Sequence, residues 1–207
     1  MQIERYPLFV QSVYRSQYEH AENLKETLVP LLKEFEQNYP INSSEYTVGS
    51  YTSYNNAADI FNTFSNELTD LKDWIYQSVN EIHQGNNINF PIRMKGSWFS
   101  INRKHSYHEQ HNHIPHVWSG VYYVQSDFDE DAKITFCSPN NMIRWPYRPL
   151  NSYNEDTAIE TTMHSSTGSM WIFPSFLEHK VLQHMSNNER ISIAFNFDYV
   201  EKDSTYG

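Results

Sequence analysis

Histidines are concentrated in one short stretch of the chain. Five of the ten fall within twelve residues, directly before the apolar run WSGVYYV: His105, His108, His111, His113 and His116. In the triplet HNH, His111 and His113 are two residues apart, so on an extended strand both rings project from the same side and can share one metal ion. The alternative is a solvated histidine-rich loop, which is the commoner meaning of an isolated H-x-H pair.

A second stretch, GSMWIFPSFLEHKVLQHMSNNERISIAFNF, predicts a strand that leads to His179 and another strand that begins at Arg190. On the later strand the alternate positions that face one way are small or polar: Arg190, Ser192, Ala194 and Asn196. An inward arginine needs a partner for its donors, and a dicarboxylate meets that need. The alternatives are a surface arginine in the turn NNER and an ion pair with Glu189 or Asp198.

The elements that position these residues change in kind along the chain. Residues 20–37 and 66–83 have apolar side chains at helical spacing. From about residue 90, short runs rich in β-branched and aromatic residues follow one another: RMKGSWFSINR, WSGVYYVQ, AKITFCS, AIETTMH, SMWIFPS and RISIAFNFDYV. The pattern predicts a mainly β sandwich, barrel or jelly roll. We expect a single domain over 1–207, with 1–90 as a mainly helical buttress and 91–200 as the β core.

Composition excludes several classes of function. The formal charge of -10, the pI near 5.4 and the absence of a Lys/Arg block argue against a nucleic-acid partner. No stretch approaches the roughly 20 apolar residues that cross a bilayer. The single cysteine, Cys137, cannot form an internal disulfide, and the first residues lack the apolar run of a secretory signal. We therefore expect a cytoplasmic protein that does not bind membranes.

The order of these motifs resembles that of the 2-oxoglutarate- and Fe(II)-dependent oxygenases, in particular a branch of phage and bacterial hydroxylases. The resemblance rests on H-x-H, SGVYY, GSMWIFPSFLEH and ERISIAFN, and it runs from about Trp98 to Phe197. The second histidine motif is the specific part, because H-x-H alone is weak. The family likeness implies a double-stranded β-helix, which is a cupin-like jelly roll, and a host-cytoplasm location if the gene is carried by a phage.

The resemblance also implies roles for individual residues. The metal ligands would be His111, His113 and His179. The groups presented to 2-oxoglutarate would be Arg190, Ser192, Tyr123 and Asn102. Position 113 departs from the wider superfamily, which has Asp or Glu there and completes a 2-His-1-carboxylate site. A neutral imidazole leaves the centre one negative charge short, but imidazole is an acceptable iron ligand. A three-histidine site is therefore the first expectation, and a two-histidine site with water or halide is the second.

The activity implied is hydroxylation of a C–H bond in a peptide or small-molecule substrate, with consumption of O2 and release of succinate and CO2. Ascorbate would support it. Three alternatives stay open: a three-histidine cupin dioxygenase that does not use 2-oxoglutarate, a non-catalytic metal- or ligand-binding jelly roll, and a zinc protein. The sequence is compatible with a monomer or a homodimer, and residues 138–156 are a candidate substrate-gating segment.

Overall fold

The computed structural model describes residues 3–4, 6, 8–40, 47–127, 133–140, 154 and 157–200. Most of the predicted gating segment, 138–156, lies outside the described residues. Among the described residues, no helix is both long enough and apolar enough to cross a membrane.

Both predicted helices are present. The first, α1 (Ala21–Asn38), stays helical through Pro30. A short α2 (Ile60–Thr63) precedes α3 (Ser65–Gly85). Each long helix buries one leucine-rich face, because apolar residues three and four apart lie on the same side of a helix.

Eleven strands are found among the described residues. They are β1 (Tyr14–Gln17), β2 (Thr47–Val48), β3 (Tyr51–Thr52), β4 (Ile92–Asn102), β5 (Tyr107–His111), β6 (Trp118–Gln125), β7 (Ile134–Cys137), β8 (Glu160–Met163), β9 (Ser169–Pro174), β10 (His179–Val181) and β11 (Arg190–Tyr199). The larger sheet has the order β1-β9-β6-β11-β4-β3, and the smaller has the order β2-β5-β10-β7-β8. Every ladder between these strands is antiparallel.

From β4 to β11 the chain passes repeatedly between the two sheets, with only the consecutive strands β7 and β8 in the same sheet, and the predicted jelly roll is confirmed. The helices cover the outer face of the larger sheet, where Leu28 and Leu68 belong to the same buried cluster as Phe99 and Ile193. A smaller apolar cluster, which includes Phe136 and Phe173, lies on the opposite side of that sheet. The strand alternation of β11 therefore separates a helix-facing apolar side from a side that faces the smaller sheet.

The first ninety residues also contribute strands. β1 pairs with β9 and β3 pairs with β4 in the larger sheet, while β2 pairs with β5 in the smaller one. The helical buttress is therefore tied to the jelly roll by backbone hydrogen bonds as well as by packing. The single-domain division at about residue 90 stays a prediction.

A buried histidine ties α3 to the larger sheet. The indole Nε1 of Trp118 donates to Nε2 of His83 at 2.9 Å, and both side chains are buried. Burial lowers the pKa of His83 below its usual value of 6.5. Protonation of His83 is therefore less favourable in the folded protein than in the unfolded chain. The contribution of His83 to stability is complete above about pH 6.5 and declines as the pH falls below that value.

We expect the free energy of unfolding to fall more steeply with acidification in the wild type than in His83→Gln. Glutamine keeps an acceptor for Trp118 but does not titrate. One proton accounts for a difference in slope of at most about 1.4 kcal/mol per pH unit. Urea unfolding of both proteins at pH 7.5 and 5.5 measures it, and parallel losses in the two proteins would contradict the prediction.

Candidate metal centre

Three histidines from two neighbouring strands meet between the sheets. His111 ends β5, His113 follows it by two residues, and His179 begins β10 directly opposite His111 in the ladder. The ring centroids are 4.5 Å apart for His111 and His179, and 5.1 Å apart for each of the other two pairs. One ligand nitrogen from each ring lies within 4.8 Å of the other two. Three imidazoles at this spacing can bind one metal ion.

Backbone carbonyls set the tautomers of two of these rings. Nδ1 of His111 donates to the carbonyl of Glu109 at 2.7 Å, and Nδ1 of His179 donates to the carbonyl of Leu177 at 3.0 Å. Each bond places the proton on Nδ1 and leaves the lone pair on Nε2. A metal-ligating histidine commonly has this second hydrogen bond, because it orients the ring and raises its basicity.

The three rings are neutral at physiological pH, which is the form that binds metals. Burial lowers the pKa of His113 and of His179 to about 3, and it also lowers the pKa of His111. No proton has to be removed before an ion enters. The donor set therefore fits a divalent metal such as Fe(II).

A buried arginine lies deeper in the same space. Arg190 is 1% exposed, and its Nη1 donates to Oδ1 of Asn102 at 2.9 Å. The guanidinium carbon lies 4.7 Å from the ring centroid of Tyr123. Among the described residues, neither Nε of Arg190 nor the hydroxyl of Tyr123 has a hydrogen-bond partner. Such buried polar atoms are costly unless a bound group pairs with them, and an anion is the strongest partner for a guanidinium.

The two carboxylates that the sequence offered as partners for Arg190 are engaged elsewhere. Glu189 accepts from Lys33 at 2.6 Å and from Arg103 at 3.0 Å, on the side of α1. Asp198 accepts from Nδ1 of His116 at 2.7 Å, at the other end of β11. The alternative of a surface arginine in the turn NNER is also wrong, because the side chain of Arg190 is buried.

One cavity of about 480 Å³ connects the histidine cluster to Arg190. Its walls include Ser192 and Tyr123, which face each other in the β11–β6 ladder, and Trp98 from β4. Tyr122 points the other way into the apolar core, as the alternation of β6 predicts. None of the described residues that line the cavity is Asp or Glu, although the chain contains 25 acidic residues. The cavity is therefore suited to an anion.

Several wall residues were not assigned to the site from the sequence. His108 lines the cavity although it is three residues from His111, and Thr52 and Tyr54 reach it from the first ninety residues. Tyr54 stacks edge-on against Trp98 with ring centroids 5.0 Å apart, and Trp98 is 5.9 Å from His113. Asn102, which the resemblance assigns to the cosubstrate, bonds directly to Arg190, and its contact with the cosubstrate stays a prediction. The segment SYTSYNN, which contains Tyr54, is rich in tyrosine, but it lies far before the histidines in the chain. The sequence therefore did not indicate that Tyr54 lies near them.

The fold and the cavity define a class of protein: a jelly-roll protein in which three histidine nitrogens close enough to bind one metal ion share a cavity with a buried arginine. Residues 96–196 match the family model described as "Putative 2OG-Fe(II) oxygenase". This part of the chain, just under half of its length, is thus similar to the 2-oxoglutarate- and Fe(II)-dependent oxygenases, as its motifs indicated. No curated protein matches it in sequence.

Solved structures share the fold at low sequence identity. A prolyl-4-hydroxylase from Pseudomonas putida superposes with a TM-score of 0.63 at 13% identity, over 92% of this chain and 94% of that one. HygX from Streptomyces hygroscopicus, crystallised with nickel and 2-oxoglutarate, has a TM-score of 0.61 at 11% identity, over 91% and 82%. The carbocyclase SnoK from nogalamycin biosynthesis has a TM-score of 0.63 at 8% identity, over 95% and 84%. These chains are similar to this one in fold.

Proposed function

We propose that this protein is a 2-oxoglutarate- and Fe(II)-dependent oxygenase that hydroxylates a C–H bond of a peptide or small-molecule substrate, with His111, His113 and His179 as the iron ligands. The proposed cosubstrate contacts are Arg190, Ser192 and Tyr123, and Asn102, the fourth residue of this set, positions Arg190. When bound, Fe(II) with 2-oxoglutarate and O2 supplies the oxidising power, and succinate and CO2 are released. The protein contributes binding, orientation and exclusion of water.

The observation that carries this proposal is the pairing of two sites in one cavity. A metal-ligating cluster alone would fit a cupin or a zinc protein equally well. A buried arginine with an unsatisfied Nε, next to the unsatisfied hydroxyl of Tyr123, adds a demand for a carboxylate inside the same space. A dicarboxylate that reaches from the metal to Arg190 satisfies both.

Each cosubstrate residue has a distinct task. Arg190 supplies the charge and the directed N–H donors that suit a carboxylate. Ser192 and Tyr123 supply hydroxyl donors from adjacent strands, and Ser192 is 5% exposed. Asn102 holds Arg190 in place by accepting from its Nη1. In this proposal Asn102 is a positioning residue rather than a direct contact.

The substrate side of the cavity is aromatic and uncharged. Tyr54 is 51% exposed and packs on Trp98, which in turn lies beside His113. We propose that the oxidised group of the substrate rests against Trp98 and Tyr54, where an apolar surface and the metal cluster adjoin.

The cytoplasmic location and the monomeric or homodimeric state stay predictions of the sequence.

Succinate release tests the proposed chemistry before any substrate is known. We expect purified protein supplied with Fe(II), ascorbate, 2-oxoglutarate and O2 to form succinate slowly, because oxidative decarboxylation proceeds without substrate in an uncoupled cycle. Omission of Fe(II), or its replacement by Mn(II), should stop succinate formation. If the wild type binds Fe(II) and 2-oxoglutarate but forms no succinate, the non-catalytic jelly roll is correct instead.

A further inference from the structure

An irregularity in the smaller sheet turns a fourth histidine into the cavity. In the β10–β5 ladder, His179 pairs with His111, but Val181 pairs with His108, so two steps on β10 oppose three on β5. On a regular strand, residues three apart point to opposite faces. The extra residue of a bulge removes that difference, and His108 and His111 both line the cavity.

The bulge places His108 between the histidine cluster and Arg190. His111, His179 and Phe136 occupy one level of the smaller sheet, and His108, Val181 and Ile134 occupy the next. The second level is the one that reaches the arginine: Asn102 contacts both the ring of His108 and the guanidinium of Arg190. A ligand that extends from the metal cluster to Arg190 therefore occupies a cavity that His108 also lines.

Asn102 also determines which ring nitrogen of His108 bears the proton. Its Oδ1 accepts from Arg190, so the group that lies 3.1 Å from Nε2 of His108 is the amide Nδ2, a donor. Nε2 therefore accepts, and the proton sits on Nδ1. Burial, together with the charge of Arg190, lowers the pKa of His108 to about 3 and keeps the ring neutral. In the described part of the chain, no hydrogen bond engages the Nδ1–H group of His108.

We propose that His108 is a further binding residue for the cosubstrate and donates its Nδ1–H to the distal carboxylate of 2-oxoglutarate. Arg190 and His108 then both donate hydrogen bonds to the same carboxylate, and Asn102 orients both side chains. This inference rests on the proposed function, because it needs 2-oxoglutarate to occupy the cavity. It adds to that function a recognition element built from β5, in the opposite sheet from Arg190.

Calorimetric titration without O2 tests the contact directly. Mn(II)-loaded wild type and His108→Leu are titrated with 2-oxoglutarate and with 2-oxobutyrate, which lacks the distal carboxylate. A hydrogen bond to a charged group predicts that His108→Leu weakens 2-oxoglutarate binding by about 10- to 100-fold. Affinity for 2-oxobutyrate should stay within about twofold, since the lost donor has nothing to contact in that ligand. His108→Gln, which keeps an N–H donor, should recover part of the loss.

A matched control and three adverse outcomes make the test decisive. His116→Gln alters another cavity histidine, one that bonds Asp198 at the far end of β11 from Arg190, and should leave 2-oxoglutarate affinity unchanged. Equal affinity of His108→Leu and wild type for 2-oxoglutarate would refute the contact. Equal losses for both ligands would show a structural effect and also refute it. If the wild type binds no 2-oxoglutarate, the proposed function itself fails, and this inference fails with it.

Discussion

His179→Ala is expected to abolish iron-dependent succinate formation and to lower the affinity for Fe(II) by more than about a hundredfold. Loss of a residue that merely supports a metal ligand costs about 10- to 100-fold in affinity or activity, and His179 is proposed as a ligand itself. It is buried, it lies opposite His111 in the ladder, and its lone pair on Nε2 is directed by a backbone bond. Only two nitrogens of the cluster would then remain.

Two measurements check this expectation. Competition with a chelator of known affinity gives the dissociation constant for Fe(II), and succinate formation gives the turnover. His116→Gln is the matched control, because His116 lines the same cavity but is not a member of the three-histidine cluster. Retention of iron binding and turnover by His179→Ala would refute the ligand assignment.

The same assay on His113→Ala decides the question that the sequence left open at that position. A three-histidine centre predicts a loss of Fe(II) affinity comparable to that of His179→Ala. A two-histidine centre completed by water or halide predicts near-wild-type affinity. The centroid of His113 is equally far from those of the other two rings, which supports the three-histidine alternative.

Arg190→Met is expected to weaken 2-oxoglutarate binding by about 30-fold to several thousandfold. Truncation of one partner of a buried, hydrogen-bonded charge pair costs about 2 to 5 kcal/mol. Methionine approximates the aliphatic part of the side chain and fills much of its volume, so the change removes charge and donors more than packing. Calorimetric titration of the Mn(II)-loaded protein with 2-oxoglutarate, without O2, measures the loss.

Stability and surface controls separate this result from misfolding. In the absence of ligand, Arg190 is a buried charge whose Nε lacks a partner among the described residues, so its replacement by an apolar side chain should leave the melting temperature unchanged or raise it. Arg93→Met changes an exposed arginine of β4 and should alter neither property. Undiminished 2-oxoglutarate-independent oxygenation by Arg190→Met would favour the three-histidine cupin alternative.

The residues with the clearest local patterns were predictable from the sequence. Alternation on β11 separated Arg190 and Ser192 from Ile191 and Ile193, and the structure has the first pair on the cavity side and the second in the apolar core. The same rule distinguished Tyr123 from Tyr122. These predictions hold because the side-chain direction on a regular strand depends only on whether a position is odd or even.

The same rule failed at His108, and the reason is physical. A β-bulge exchanges the faces on which the positions beyond it lie. This bulge is visible only in the pairing of β5 with β10, more than sixty residues further along the chain. Strand alternation within β5 alone places His108 on the opposite face from His111. Only the register between the two strands shows that both rings face one cavity.

The sequence by itself indicated the pair His111 and His113, then His179 and the face of Arg190, through short motifs and strand periodicity. Its resemblance to a known family indicated the jelly roll and a shared metal site. Tertiary structure alone decided that Glu189 and Asp198 are engaged elsewhere, that Asn102 links Arg190 to His108, and that Tyr54 borders the metal cluster. Each of those contacts joins segments far apart in the chain. Such contacts are set by the packing of two sheets and the pairing of their strands, which no local pattern encodes.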